Sequence, residues 1–277
     1  MLSVIIVLYK TPLSKIKNLR NYKNLNLCIF EQQGSEDRKK IIYKELKFKF
    51  NYFYSKKNIG LPKAVNYLID KVDTKYCLMS EPDININFEN IHKLEKIIKK
   101  NKNFIVVGPK YTTKRNLINK KDEKINYKIR KFIDPSCILF NVRLIKKIKF
   151  YDEDYYFYWE DIDLMRRINK TKYKIIELQN IFAHHEQSTS SINSLQVKLV
   201  KSANFKYGEF LFDYKHKNVR IIKLIRQFFQ NFFFCLLHTF TMSKKFLTSL
   251  GYIIGIFKFI SYLIRIRLKI RRDGRVV

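Results

Sequence analysis

The first 110 or so residues alternate short apolar runs with stretches of helical periodicity, and this alternation limits the fold more than any other feature of the 277-residue chain. SVIIVLY (3–9), LNLCIF (25–30), FNYFY (50–54), YCLMS (76–80) and FIVVG (104–108) have the length and the β-branched or aromatic content of buried strands. Between them, 12–22, 36–47, 60–71 and 89–101 space their apolar residues at helical intervals. A strand that returns to its sheet through a helix runs parallel to its predecessor. The pattern therefore predicts an α/β fold, a mostly parallel, Rossmann-like sheet flanked by helices. Such sheets bind ligands at the carboxyl ends of their strands, so the loops after Tyr9, Phe30, Tyr54 and Ser80 are the expected site.

A basic, weakly structured connection is expected over roughly 110–130, followed by an apolar run, FIDPSCILF (132–140). A helix starting near Glu160 and a strand pair, YKIIEL and NIFAHH, close this part. The expected division is a domain over 1–215, with halves 1–110 and 111–215, and a basic tail over 216–277. From Lys215 onward there are 14 Lys and Arg against one acid, Asp273. Ile221, Leu224, Ile225, Phe228 and Phe232 fall at helical spacing, and 246–264 is apolar nearly all round except for Lys258. Neither stretch is a clean span of about 20 uncharged residues. Two amphipathic helices lying on an anionic bilayer surface fit this composition. The alternative is a helical hairpin packed on the domain or against a second copy of the chain in a homodimer, and a spanning hairpin ranks lower.

The whole chain carries 56 Lys and Arg against 24 Asp and Glu, a formal charge of +32, which suggests a polyanionic partner such as nucleic acid, an anionic membrane or a phosphorylated substrate. Apolar residues at 46% suffice for a core. The four cysteines are scattered without a C-x-x-C pair, which argues against a zinc ribbon or a disulfide framework and fits a reducing compartment. MLSVIIVLYK reads as a buried strand rather than a signal peptide, so the expected location is cytoplasmic.

Against this basic background, Glu160, Asp161 and Asp163 crowd into four positions behind the aromatic run Tyr156, Phe157, Tyr158 and Trp159. Other candidates sit at loop ends: EQQGSED after the second strand, NIGLPKAVN after the third, SEPDI after the fourth, and HHEQST at 184–189. Singly, each has an ordinary structural explanation. SEPDI reads as a turn with a helix cap, Asn-x-Gly as a turn, and acids at a helix start as the helix dipole's preference.

Their succession resembles the family 2 glycosyltransferases of the GT-A fold, and especially the rhamnosyltransferase-like branch that builds bacterial surface polysaccharides. SVIIVLYKT resembles the opening strand, CIFEQQGSED the nucleobase loop and YCLMSEPDI the strand ending in a D-x-D variant. NIGLPKAVN matches N-x-G-x-x-x-A-x-N, YDEDYYFYWEDIDLMRRI resembles the long acidic segment, and FAHHEQST resembles the closing H-H-G-Q-S-T run. The resemblance covers residue 3 to about 190.

It implies a nucleotide-sugar-binding half over 1–110, an acceptor and catalytic half over 111–215, and a nucleotide-diphosphate sugar as donor. A divalent cation, Mn²⁺ or Mg²⁺, would be held by Asp83 with Glu81 and by a histidine, His184 by resemblance with His185 as the other candidate. Glu31 would accept the N3–H of a uracil or thymine ring, and Tyr9, Asn58, Gly60 and Asn66 join the donor-binding set. Asp161 would be the general base of an inverting transfer, with Glu160 beside it and Tyr158, Trp159 and Asp163 binding the glycan or glycolipid acceptor. Three positions depart from the family pattern: Glu31 for Asp, Glu81 for Asp or Asn, and Glu186 for Gly. The expected place of work is the cytoplasmic face of the inner membrane, peripherally bound. A nucleic-acid-binding protein would use the charge, but no recognition motif is present. An inactive membrane-bound relative would have no need of Asp83 and Asp161, and a nucleotidyltransferase would carry a Gly-rich opening loop that VLYKTPLS lacks.

Overall fold

The computed structural model describes residues 2–112, 125–186, 194–239 and 244–272. It divides into two compact units, residues 1–153 with 161–192, and residues 154–160 with 193–277.

The first unit is built on a sheet whose strands follow the order β3-β2-β1-β4-β8-β6-β9-β5, with β7 pairing β9. β1 (Ser3–Tyr9), β2 (Asn26–Gln32), β3 (Asn51–Ser55) and β4 (Tyr76–Ser80) pair in parallel, as their helical crossovers require. The crossovers are α1 (Leu13–Ile16), continued by a 3₁₀ stretch over Lys17–Tyr22, then α2 (Glu36–Leu46) and α3 (Leu61–Asp70). β5 (Ile84–Asn85) and α4 (Phe88–Lys100) lead into β6 (Phe104–Thr112). From there the sheet is mixed. β8 (Cys137–Asn141) runs antiparallel to both β4 and β6, while β9 (Lys174–His185) is parallel to β6 and antiparallel to β5 and β7 (Tyr127–Arg130).

Alternation along β1 sorts the core. Val4, Ile6 and Leu8 face one side with Ile16, Leu19, Ile42 and Leu94, whereas Ile5 faces the other with Val65, Leu68, Leu164 and Ile168. The 13–22 segment, α2 and α4 thus cover one face. α3, α5 (Val142–Lys147) and α6 (Glu160–Asn169) cover the other.

Two expectations need correction. Part of the weakly structured connection is strand: β6 runs on to Thr112 and Tyr127–Arg130 forms β7, while 113–124 lies outside the described residues. The expected strand pair at 173–185 is one strand, β9, with an irregular middle. Gly108 pairs Glu177 and Lys110 pairs Phe182, so Leu178–Ile181 lies opposite Pro109. Proline has no N–H to give to the ladder, which accounts for the break.

The second unit is helical: α7 (Leu195–Lys215), α8 (Ile221–Leu237) and α9 (Lys244–Arg272). α7 belongs here rather than with a domain ending at 215, because α9 packs directly on it. Gly255 brings α9 so close that a Cβ there would stand 2.4 Å from Ala203 O, and a Cβ at Gly251 would stand 2.6 Å from Ser202 Cβ. Ile256 and Phe259 are buried along the same seam. α8 joins α7 through Lys223, whose Nζ lies 2.7 Å from both Glu209 Oε1 and Asp213 Oδ2. α9 thus packs on α7 within the helical unit, while α8 leaves Ile222, Phe229 and Phe233 exposed.

Candidate active site

The loops expected to carry chemistry lie at the carboxyl ends of β1 to β4. In the turn after β4, Ser80 is followed by Glu81, Pro82 and Asp83, and Asp83 is only 1% exposed. β5 then pairs with the end of β9 so that Ile84 faces His185 and Asn85 faces His184. Adjacent strand residues point to opposite faces of a sheet, so one of the two histidines is selected. It is His185. Its Nε2 lies 3.8 Å from Asp83 Oδ2, and ligand atoms of Glu81, Asp83 and His185 lie within 4.8 Å of one another. Two carboxylates and an imidazole suit Mn²⁺, and the carboxylates also suit Mg²⁺. His184 falls outside the trio.

The helical segment after β1 braces this turn with neutral contacts. Asn18 Nδ2 donates to Pro82 O at 3.0 Å, Asn21 Nδ2 to Asn85 Oδ1 at 2.9 Å, and Tyr22 OH to Ser80 Oγ at 2.9 Å. Glu186, at the position where the resembled family often has Gly, donates its backbone N–H to Asp83 O at 3.2 Å, and its carboxylate pairs with Lys15. The rest of the HHEQST run, 187–189, lies outside the described residues.

Glu31, at the end of β2, is 3% exposed, and both its oxygens are engaged. Arg38 Nε donates to Oε1 at 2.9 Å and Tyr52 OH to Oε2 at 2.6 Å. A carboxylate has about four lone-pair directions, so acceptor capacity remains for a ligand. Gly34 is confined beside it, since a Cβ there would stand 2.7 Å from Tyr54 Cβ and 3.0 Å from Glu31 Cβ. Tyr9 is half-buried at the end of β1, its N–H donating to Thr11 Oγ1 at 3.3 Å.

The Asn58–Gly60 loop is held by a residue the sequence reading passed over. Buried Gln32 donates to Gly60 O at 2.8 Å and accepts from Ile59 N at 2.9 Å. Asn58 Oδ1 accepts from Gly60 N at 3.0 Å, and Gly60 has φ 89°, a conformation that favours glycine at the start of α3. Asn66, expected with the donor, clamps the segment before the acids. It donates to Tyr151 O at 2.8 Å and accepts from Tyr151 N at 3.1 Å.

The acidic segment divides its labour. Asp161 stands in the first turn of α6. Burial is the main cause that pushes its carboxyl above the usual carboxylate range, against backbone hydrogen bonds that lower it, and the charge of Asp134 raises it further. Asp134, in the middle of what the sequence shows as an apolar run, was missed; the Asp-Pro turn signal was there to be read. Asp163 is buried against Arg167 at 2.7 Å, and Arg167 donates to the carbonyls of Ile148 (2.6 Å), Lys149 (2.5 Å) and Phe150 (2.6 Å). Asp163 thus holds Arg167, and through it the 148–150 segment, in place. Glu160 is 4% exposed.

Tyr158 and Trp159 both adopt positive φ, 73° and 74°, and belong to the helical unit. Trp159 packs on Phe205 and Phe212 of α7, with ring centroids at 5.8 and 5.3 Å, and Tyr158 on Phe205 at 5.7 Å. A Cβ on Gly208 would meet Trp159 Cδ1 at 2.8 Å. Both residues pack against α7 and stay half-exposed.

A GT-A sheet with such an acidic turn at its carboxyl edge defines a glycosyltransferase domain. The profile of Glycosyl transferase family 2 matches residues 7–162, and the chain belongs to that family. No curated protein matches the chain in sequence. Among solved structures, the chain is similar to the mannosyltransferase PcManGT from Pyrobaculum calidifontis in complex with GDP-Man and Mn²⁺, with 10% identity and TM-score 0.57 over 79% of this chain and 64% of that one. It is similar to GalNAc-T7 with UDP, GalNAc and Mn²⁺ at 11% identity and TM-score 0.53, over 75% of this chain and 47% of that one. Residues 1–349 of S. aureus TarS match at 12% identity and TM-score 0.53, over 99% of this chain and 92% of that one. At these identities the likeness is one of fold.

Proposed function

We propose that this glycosyltransferase is an inverting, metal-dependent enzyme that moves a sugar from a dTDP- or UDP-sugar to a lipid-linked, lipopolysaccharide or capsular glycan. The observation that carries this reading is the convergence of Glu81, Asp83 and His185 at the carboxyl edge of the sheet. These three residues hold a divalent cation, Mn²⁺ or Mg²⁺, which when bound offsets the charge of the donor's diphosphate. Glu31 accepts the N3–H of the pyrimidine, kept in place by Arg38 and Tyr52. Asp161 takes the proton of the acceptor hydroxyl as it attacks; its raised pKa brings it closer to neutrality, where a base works best.

The reading includes a peripheral place on the cytoplasmic membrane face. Among the described residues one helix, Lys245–Leu268, is long and apolar enough to cross a membrane, and 33% of that stretch is buried inside the protein. The exposed apolar side chains of α8, with the exposed Arg220 just before the helix and Arg226 within it, suit an anionic bilayer. Replacing Ile222, Phe229 and Phe233 by Ser should release the protein from phosphatidylglycerol vesicles while leaving its melting point unchanged; co-sedimentation equal to wild type would refute the surface.

The central test is a thermal-shift screen with Mn²⁺ against UDP, dTDP, GDP and CMP. A Mn²⁺-dependent rise with UDP or dTDP is expected, because a ligand bound only by the native state stabilises it by mass action. A rise with GDP alone would overturn the pyrimidine assignment, and no rise with any nucleotide would overturn the donor site.

A further inference from the structure

The 13–22 segment presents one charged side chain to the acidic turn among its neutral braces. Lys15 Nζ pairs with Glu186 Oε2, and the two side chains are 15% and 20% exposed. Glu186 follows His185 directly and is fixed through its N–H on Asp83 O, 3.2 Å away. The ion pair is therefore anchored from both sides, by the helical segment and by the Asp83 turn.

We infer that Lys15 is a binding residue for the donor's diphosphate, with Glu186 as its resting partner; the inference rests on the proposed donor site. The reason is a charge count. A diphosphate becomes more negative as it leaves the sugar. Glu81 and Asp83 set against a divalent cation sum to neutrality, so the cluster has no surplus positive charge to receive it. Arg38 is committed to Glu31 and to Thr11 O, and Lys10 lies over the Tyr9 ring. Among the described residues, Lys15 is the cation that an ion pair fixes beside the cluster. A diphosphate offers more charge and more acceptor oxygens than one carboxylate and takes the ammonium from Glu186, which reaches solvent at its exposed edge. Until then Glu186 keeps a flexible four-carbon side chain gathered at the site.

The test is calorimetric titration of the full chain, with Mn²⁺, by whichever of UDP, dTDP and GDP the wild type binds and by the matching monophosphate. Lys15→Met should weaken diphosphate binding by about tenfold or more and monophosphate binding by less than about twofold. Lys15→Arg should stay within about threefold of wild type. Glu186→Gln, which frees the ammonium without removing it, should bind the diphosphate at least as tightly as wild type. Equal losses of mono- and diphosphate affinity in Lys15→Met, or weaker diphosphate binding in Glu186→Gln, would make the pair a structural tie and end the inference while leaving the donor site intact. A wild type that binds none of the three nucleotides would bring down the donor site and the inference with it.

Discussion

Two acidic stretches in the first 165 residues look alike on paper and behave in opposite ways. In the turn after β4, Glu81 and Asp83 converge with His185 on one point. In the first turn of α6, three carboxylates within four residues part company. Asp161 is the half-buried carboxyl with the raised pKa, Asp163 neutralises Arg167, and Glu160 is withdrawn from solvent. The difference is geometric. A turn can fold two side chains toward a third element, whereas a helix rotates each successive residue by about 100° and so separates neighbours. Density of charge in a sequence therefore does not measure density of charge in space. Where it lies on a helix, it divides into separate roles.

Four substitutions break or sharpen this contrast. Asp161→Asn should reduce turnover by about a thousandfold, within the range for loss of a general base, and leave Mn²⁺-dependent nucleotide binding intact. Near-normal turnover would remove Asp161 as base. The same variant should melt at or above the wild-type temperature at neutral pH. A carboxyl whose pKa is raised on folding costs stability once ionised, and that cost is absent below the unfolded pKa and complete above the folded one.

Asp83→Ala should lose Mn²⁺-dependent nucleotide binding by about a hundredfold while keeping its fold, read by calorimetry against circular dichroism. Unchanged affinity would mean that the turn gathers carboxylates for another purpose. Asp163→Ala should do the reverse. It removes the counter-charge of Arg167, which is a quarter exposed and keeps its three carbonyl acceptors, and should cost about 1–3 kcal/mol in urea denaturation, with little effect on the affinity of whatever folded protein remains. The smallest effect is expected from Asp134→Asn. Removing a negative charge that raises Asp161 should move the acid limb of the kcat/KM profile to lower pH with little change at the plateau; an unmoved limb would disconnect the two groups.

Much of the first unit was legible because its strands and helices carry complete periodic signals. β1 and β4 fall on the predicted residues, and α2, α3 and α4 differ from expectation only at their ends. The metal-ligand candidates Glu81 and Asp83 were readable because loop position in a parallel sheet is itself a prediction of site. The choice between His184 and His185 was not readable, since it depends on which residue of β9 stands opposite Ile84. The roles of Asn66 and Asp163 were also hidden. Their partners, Tyr151 and Arg167, are ordinary residues whose proximity only the folded chain creates. That the aromatic run packs on α7 was not readable, because nothing in the sequence shows that Gly208 leaves room for Trp159. Lys15 is one lysine among many in a strongly basic chain, and no pattern distinguishes it.

The break in β9 has a consequence for how this chain can change. Between Glu177 and Phe182 the strand runs four residues past the single Pro109, and the partners resume in step on the far side. Every later residue takes its facing from the pairings that resume there, Lys110 with Phe182 and Ile84 with His185. The excursion is already out of step with its partner, so one residue added or removed there would be taken up within it, while His185 kept its place opposite Ile84. The facing of His185 is thus insulated from changes in length a few residues upstream, because the strand's end is gripped from both sides by partners of its own.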